Sequence, residues 1–199
     1  NVIFERNFAI DCAAVQIGML EDQENRGNVG FWIFRNNVFV NVDAAMQVYV
    51  RNVAFYNNVF YNCGKNTGGA FMFRSGGDGK GDGHNGIVIN NIFYHCGRYG
   101  NSSFGVQAGV TNIVSSHNLQ INSPLAPLVF VRAGGKLPED YAPAPGGLAI
   151  GAGTNLVELF ADDFWGRRRP VSAAWDLGAI QGWDGNSRVA PPTRLRVIQ

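Results

Sequence analysis

Lys65 and Arg98 stand at matched positions, each two residues after a cysteine, Cys63 and Cys96. Near them lie Arg74 and a glycine-rich stretch, Ser75 to His84, that carries Asp78, Lys80, Asp82 and His84. These residue types suit two chemistries. In the first, an amine or imidazole (Lys65, Lys80 or His84) removes a proton beside a carboxylate, and a guanidinium (Arg74 or Arg98) neutralises that carboxylate. In the second, two carboxylates drawn from Glu21, Asp22, Asp78 and Asp82 act as acid and base across a bond to be hydrolysed. The loop Asp78-Gly79-Lys80-Gly81-Asp82-Gly83 also spaces oxygen ligands as calcium loops do. A lysine stands in its middle and no closing glutamate follows, so a glycine-rich lid is preferred to a metal site. The cofactor stays unknown, with calcium as the one candidate. No cluster has the spacing of a zinc site, so no metal ligand is assigned.

Such residues need a scaffold, and an internal repeat supplies it. Asn7, Asn37, Asn58, Asn91 and Asn118 each open a segment of apolar residue, Phe, Ala or Gln, any residue, and a small polar residue, as in Asn58-Val59-Phe60-Tyr61-Asn62-Cys63. One short apolar run precedes each Asn and a third follows a small-residue turn, as in Met46 to Tyr49 and Ala70 to Phe73. Three short strands in a unit of about 21 residues cannot bury an apolar face alone, so units must stack. The expectation is all-β: a right-handed parallel β-helix, a β-solenoid, of about five coils over residues 1–133, closed by a C-terminal cap over 134–199. Asn tolerates positive φ and its amide can bond along a stack of equal turns.

The stacking makes further expectations. Cys12, Cys63 and Cys96 share the offset of Val42, which places them in one inward column. Coils lie about 4.8 Å apart, so Cys12 and Cys63, two coils distant, cannot bridge. Cys63 and Cys96, one coil apart, are within reach of a bridge, but free thiols packed as small hydrophobes are the preferred reading. His95 and His117 stand at turn offsets. In the third run, the outward positions read Gln16, Gln47, Met72, Gln107 and Phe130, then Gly18, Tyr49, Arg74, Gly109 and Arg132 two residues later. Loops rising on both sides of this run would wall a cleft.

The chain has 199 residues, 46% of them apolar and 16% charged, with sixteen Lys and Arg against fifteen Asp and Glu. That size suits one domain. The near-zero net charge argues against nucleic acid as a partner, and no apolar run is long enough for a membrane span. The first residue is Asn, and Val2-Ile3-Phe4 already reads as a strand. An open first coil would expose core, so upstream sequence or a partner stacking on residues 1–15 is expected.

The C-terminal third carries Ala149-Ile150-Gly151-Ala152-Gly153, then Gly166-Arg167-Arg168-Arg169-Pro170, then Asp176-Leu177-Gly178-Ala179. Together with the Asn-x-Phe coils, these segments resemble the right-handed parallel β-helix (pectin-lyase-like) superfamily, over nearly the whole chain. The chain departs from that pattern at Gly151, where Asp is common, and at Ile180-Gln181, where an aromatic and Glu are usual. One arginine of the triplet is expected to pair with Asp176 and lock the cap. The resemblance implies an extracellular or cell-surface protein directed at polysaccharide, with the long sugar lying along one sheet. On that implication Lys65, Arg74, Asp78, Lys80, Asp82, His84 and Arg98 are the candidate catalytic residues. Gln16, Gln47, Tyr49, Gln107 and Arg132 are the candidate sugar-binding residues. Uronate β-elimination and glycoside hydrolysis are the two enzymatic readings. A non-catalytic carbohydrate-binding, adhesin or assembly module is the competing one.

Overall fold

The computed structural model describes residues 2–13, 16–17, 31–43, 46–75, 83–100, 102–123 and 128–182, with backbone only at 16–17. Among these residues fourteen short strands succeed one another, followed by one 3-10 helix at Pro138–Tyr141. They run β1 (Val2–Glu5), β2 (Phe8–Ile10), β3 (Gln16–Ile17), β4 (Trp32–Arg35), β5 (Val38–Val40), β6 (Met46–Val48) and β7 (Val53–Tyr56). Then come β8 (Val59–Tyr61), β9 (Phe71–Phe73), β10 (Ile87–Ile89), β11 (Ile92–Tyr94), β12 (Gly105–Val106), β13 (Val114–Ser116) and β14 (Leu119–Ile121). Every third strand returns to the same sheet. The first sheet is ordered β1-β4-β7-β10-β13, the second β2-β5-β8-β11-β14 and the third β3-β6-β9-β12. All pairings between these strands are parallel. Three consecutive strands thus make one rung, an arrangement compatible with the expected solenoid.

The corners explain why strands of three or four residues persist. One residue at each corner takes the left-handed conformation: Arg6, Asn36, Asn57, Asn90 and His117 between the first and second strands of a rung. Asp11, Asn41, Asn62 and His95 do the same after the second strand. The left-handed residue at the first corner is therefore the one before the recurring Asn, not that Asn itself. The recurring Asn turns inward and bonds along the stack. Each donates from its backbone N and Nδ2 to Oδ1 of the next: Asn7 to Asn37, Asn37 to Asn58, Asn58 to Asn91 and Asn91 to Asn118, all within 2.8–3.0 Å. Nδ2 of Asn37, Asn58 and Asn91 also reaches a strand carbonyl, of Phe4, Phe34 and Phe55.

Inside the rungs, like residues stack on like. Phe39, Phe60 and Phe93 lie face to face at 5.2 and 5.1 Å, Phe34 on Phe55 at 5.2 Å, and Phe71 on Phe104 at 5.1 Å. All three cysteines are free, and Cys63 and Cys96 are buried in this core. Burial, then the adjacent Cys96 thiol, pushes the Cys63 thiol well above its ordinary range. Since only the thiolate reacts, iodoacetamide should modify half-buried Cys12 first and reach Cys63 and Cys96 only as fast as the protein unfolds. Equal labelling of all three in the native protein would contradict this packing.

The described part of the C-terminal segment lies along the flank of the stack. Val129, Phe130, Tyr141, Ala149, Phe164, Leu177 and Ile180 pack on the outer residues of the second sheet, from Phe8 and Ile10 to Leu119 and Ile121. Phe160 and Trp175 pack on Ala54 and Tyr56 of the first sheet. The second sheet is consequently apolar on both faces, which is why β5 reads Val-Phe-Val without alternation.

The docking is fixed by polar groups at the first-corner residues. Asn36 Nδ2 donates to Asp162 O, Asn57 Nδ2 to Asp176 O and Gly178 O, and Asn90 Nδ2 to Thr154 O. Arg169 is the arginine of the triplet that is buried. It donates to six oxygens: Asp162 O, Asp176 O, Gly178 O, Ala179 O, Gln181 Oε1 and Asn36 Oδ1. It therefore bonds the backbone of Asp176 and not its carboxylate, which instead accepts from Gly151 N and Gly182 N. The closest ion pair of the triplet is Arg167 with Asp163, at 2.7 Å. Burial brings Arg169 down to about 10, against the pull of Asp163 and Asp176. Gln181 Oε1, accepting from Arg169 and from Asp176 N, holds this junction without a second carboxylate.

Candidate functional site

The third sheet is the one on whose outer face no apolar cluster of the described C-terminal segment lies. Register along it runs Gln16, Gln47, Met72, Gly105 in one column. The next outward column is Tyr49, Arg74 and Gln107, since Arg74 N bonds Val48 O and Gln107 N bonds Phe73 O. Gln107 thus lies beside Arg74 and not in the Gln47 column. Phe104, stacked on Phe71, anchors the strand two residues from the expected alignment. Arg74 Nε donates to Gln47 Oε1 across one rung, which holds the guanidinium on the sheet surface. Tyr49, Gln47, Arg74 and Gln107 are all half-buried. The face therefore combines one cation, two amides, a phenol ring and the Met72 side chain.

Two expected members lie elsewhere. Leu128 to Val131 adds no strand to the third sheet; Phe130 is buried and bridges antiparallel to Pro143. Arg132 accordingly belongs to the C-terminal segment, where its backbone N bonds Asp140 O and its side chain is 3.7 Å from the Asp140 carboxylate. It makes no part of the third-sheet face. The run looks like a strand because it is apolar, yet that apolarity serves the flank.

On one side the face is walled by the turns that precede β9 and β12. Gly64 N bonds Val42 O and Gly97 N bonds Cys63 O, so the two turns leave their rungs at equal height. Lys65 and Arg98 are both exposed there. Arg98 N reaches Thr67 O, and the guanidinium lies 5.6 Å from the centre of the Tyr99 ring. Asn66, Thr67, Gly68, Arg98, Tyr99 and Ser102 line an open depression of about 350 Å³. It adjoins the sheet, because Gly68 lies against the Met72 methyl. Tyr99 was not foreseen as a contact residue. Its signal is weak: an aromatic beside Arg98 in a turn of small residues. A ring with a cation over it and amides around it is a surface suited to a sugar carboxylate and hydroxyls.

On the other side, Gly83 returns to the sheet with its N on Arg74 O. His84 follows at the third corner. Its Nδ1 accepts from Thr111 N at 2.9 Å and lies 2.9 Å from Thr111 Oγ1. A backbone N–H can only donate, so neutral His84 carries its proton on Nε2. Asp78, Lys80, Asp82, Glu21 and Asp22 lie outside the described residues, as does the side chain of Gln16. The glycine-rich calcium-like loop falls there too. Among the described residues no group of three His, Cys, Asp or Glu could hold a metal ion.

No helix among the described residues is long and apolar enough to cross a membrane. No protein-family model matches the chain, and no curated protein matches it.

Proposed function

We propose that the chain is a right-handed parallel β-helix of the pectin-lyase-like kind and that the outer face of its third sheet engages an acidic polysaccharide outside the cell. The observation that carries this reading is Arg74, held on that face by Gln47 between Tyr49 and Gln107. A uronate carboxylate pairs with the guanidinium, the amides meet hydroxyls, and the Arg98–Tyr99 turn offers a neighbouring subsite. Extracellular location follows from the same resemblance.

The reaction that suits this surface is β-elimination. A base takes the proton beside the carboxylate, the bond to the leaving sugar oxygen breaks, a carbon–carbon double bond forms, and the oxygen is protonated. Arg74 neutralises the carboxylate as its neighbour loses the proton. Lys65, Lys80 and His84 are the candidate bases, with Arg98 as a second cation. Glycoside hydrolysis rests on the carboxylates of the flanking loops.

The experiment is incubation with a panel of uronate polysaccharides, read by ultraviolet absorbance of new double bonds and by reducing ends. Absorbance that grows with time, and that falls at least about tenfold in Lys65→Ala and Arg98→Ala, is expected. Reducing ends without absorbance would make it a hydrolase. Silence in both with retention on the polysaccharide would make it a binding module.

A further inference from the structure

We infer that the outer face of the first sheet holds a second binding site, for an amphipathic anion: an apolar body carrying one acid group. One outward column there is Ile3, Ile33, Ala54, Ile87 and Val114, one residue from each rung and none polar, beside a second column of Glu5, Arg35, Tyr56, Ile89 and Ser116. A sheet face open to water ordinarily alternates to polar side chains. The C-terminal segment covers only part of this stripe. Between it and the sheet remains a cavity of about 330 Å³ lined by Phe31, Ile33, Ala54, Tyr56, Ile87 and Leu159, with Phe160 and Arg35 at its end. That volume falls within the range of small-molecule sites, which pair an apolar lining with few polar groups.

Charge at the end of the cavity selects the ligand. A second hollow continues from Arg35 and Phe160 to Asp162, Gly166 and Arg168. Three guanidiniums and two carboxylates meet around it. Arg35 is taken by Glu5 at 2.6 Å and lies 5.0 Å from the centre of the Phe160 ring. Arg6 is taken by Asp162. Arg168 is exposed and has no carboxylate partner among the described residues. Among the described residues one positive charge thus stands uncompensated beside an apolar cavity. The apolar body fills the cavity and the acid group meets Arg168. The site is on a different sheet from the proposed polysaccharide face and stands independently of that reading.

The test is titration of the folded protein with anilinonaphthalene sulfonate and with its uncharged parent, phenylnaphthylamine. The expected result is saturable one-to-one fluorescence with both probes, displaced by dodecanoate. Arg168→Gln should weaken the sulfonate roughly tenfold and leave the neutral probe unchanged. Leu159→Asp should weaken both, and both substitutions lie at exposed positions, so thermal melting should match the unmodified protein. Absence of saturable binding, or sulfonate binding that Arg168→Gln leaves unaltered, would overturn the site.

Discussion

Replacing Arg169 by alanine is expected to cost about 3–5 kcal/mol, as for other buried ionic networks that lose one partner. The guanidinium is 1% exposed and serves six oxygens, four of them main-chain carbonyls. Its removal takes one of two donors from each of these carbonyls, empties a dry, buried site and leaves Arg167 as the one cation paired with the buried Asp163 carboxylate among the described residues. For a chain of this length that corresponds to a fall in melting temperature of roughly 6–20 °C. Arg169→Lys should recover little, since an ammonium cannot present the planar fork. Because Trp175 lies 5.1 Å below the guanidinium and is fully buried, its fluorescence should report the loss. A melting temperature within about 2 °C of the parent would show that the flank segment is held by its apolar contacts alone.

Asn58→Ala should be the second large effect. Asn58 sits in the middle of the ladder and is fully buried. Its loss strips Asn37 N and one Nδ2 hydrogen of their acceptor and takes the side-chain donor from Phe34 O. Two orphaned donors at about 1–3 kcal/mol each set the scale. Asn7→Ala, at the half-exposed end of the same ladder, removes like bonds where water can replace them. It should cost less than about 1 kcal/mol. Urea denaturation of the two variants checks the contrast; equal costs would mean that the ladder does not act through burial.

The ladder was legible because Asn recurs at a fixed offset to an inward residue, and stacking demands identical chemistry there. The left-handed corner before it was not. Asn36, Asn57 and Asn90 share a side-chain type, but Arg6 and His117 take the same backbone conformation and break the pattern. The flank cover was half legible. Val38-Phe39-Val40 has no alternation, the mark of a strand buried on both faces, yet nothing in the run says what buries the second face. At the candidate site, Arg74 and Gln47 were found from alternation within single runs, which survives any error in register between runs. Gln107 and Arg132 were misplaced because their alignment depended on neighbouring runs, where Phe104 and Phe130 take unforeseen packing positions. Lys65 and Arg98 were found by their offset from two stacked cysteines. Tyr99 lies one step further along a turn whose path no periodicity dictates.

The most direct measurement of the central claim is affinity electrophoresis through gels containing polygalacturonate or alginate, against gels containing dextran. The account predicts retardation in the uronate gels alone, and its loss in a folded Arg74→Ala variant. Equal mobility in all gels, or retardation that Arg74→Ala leaves intact, would contradict it.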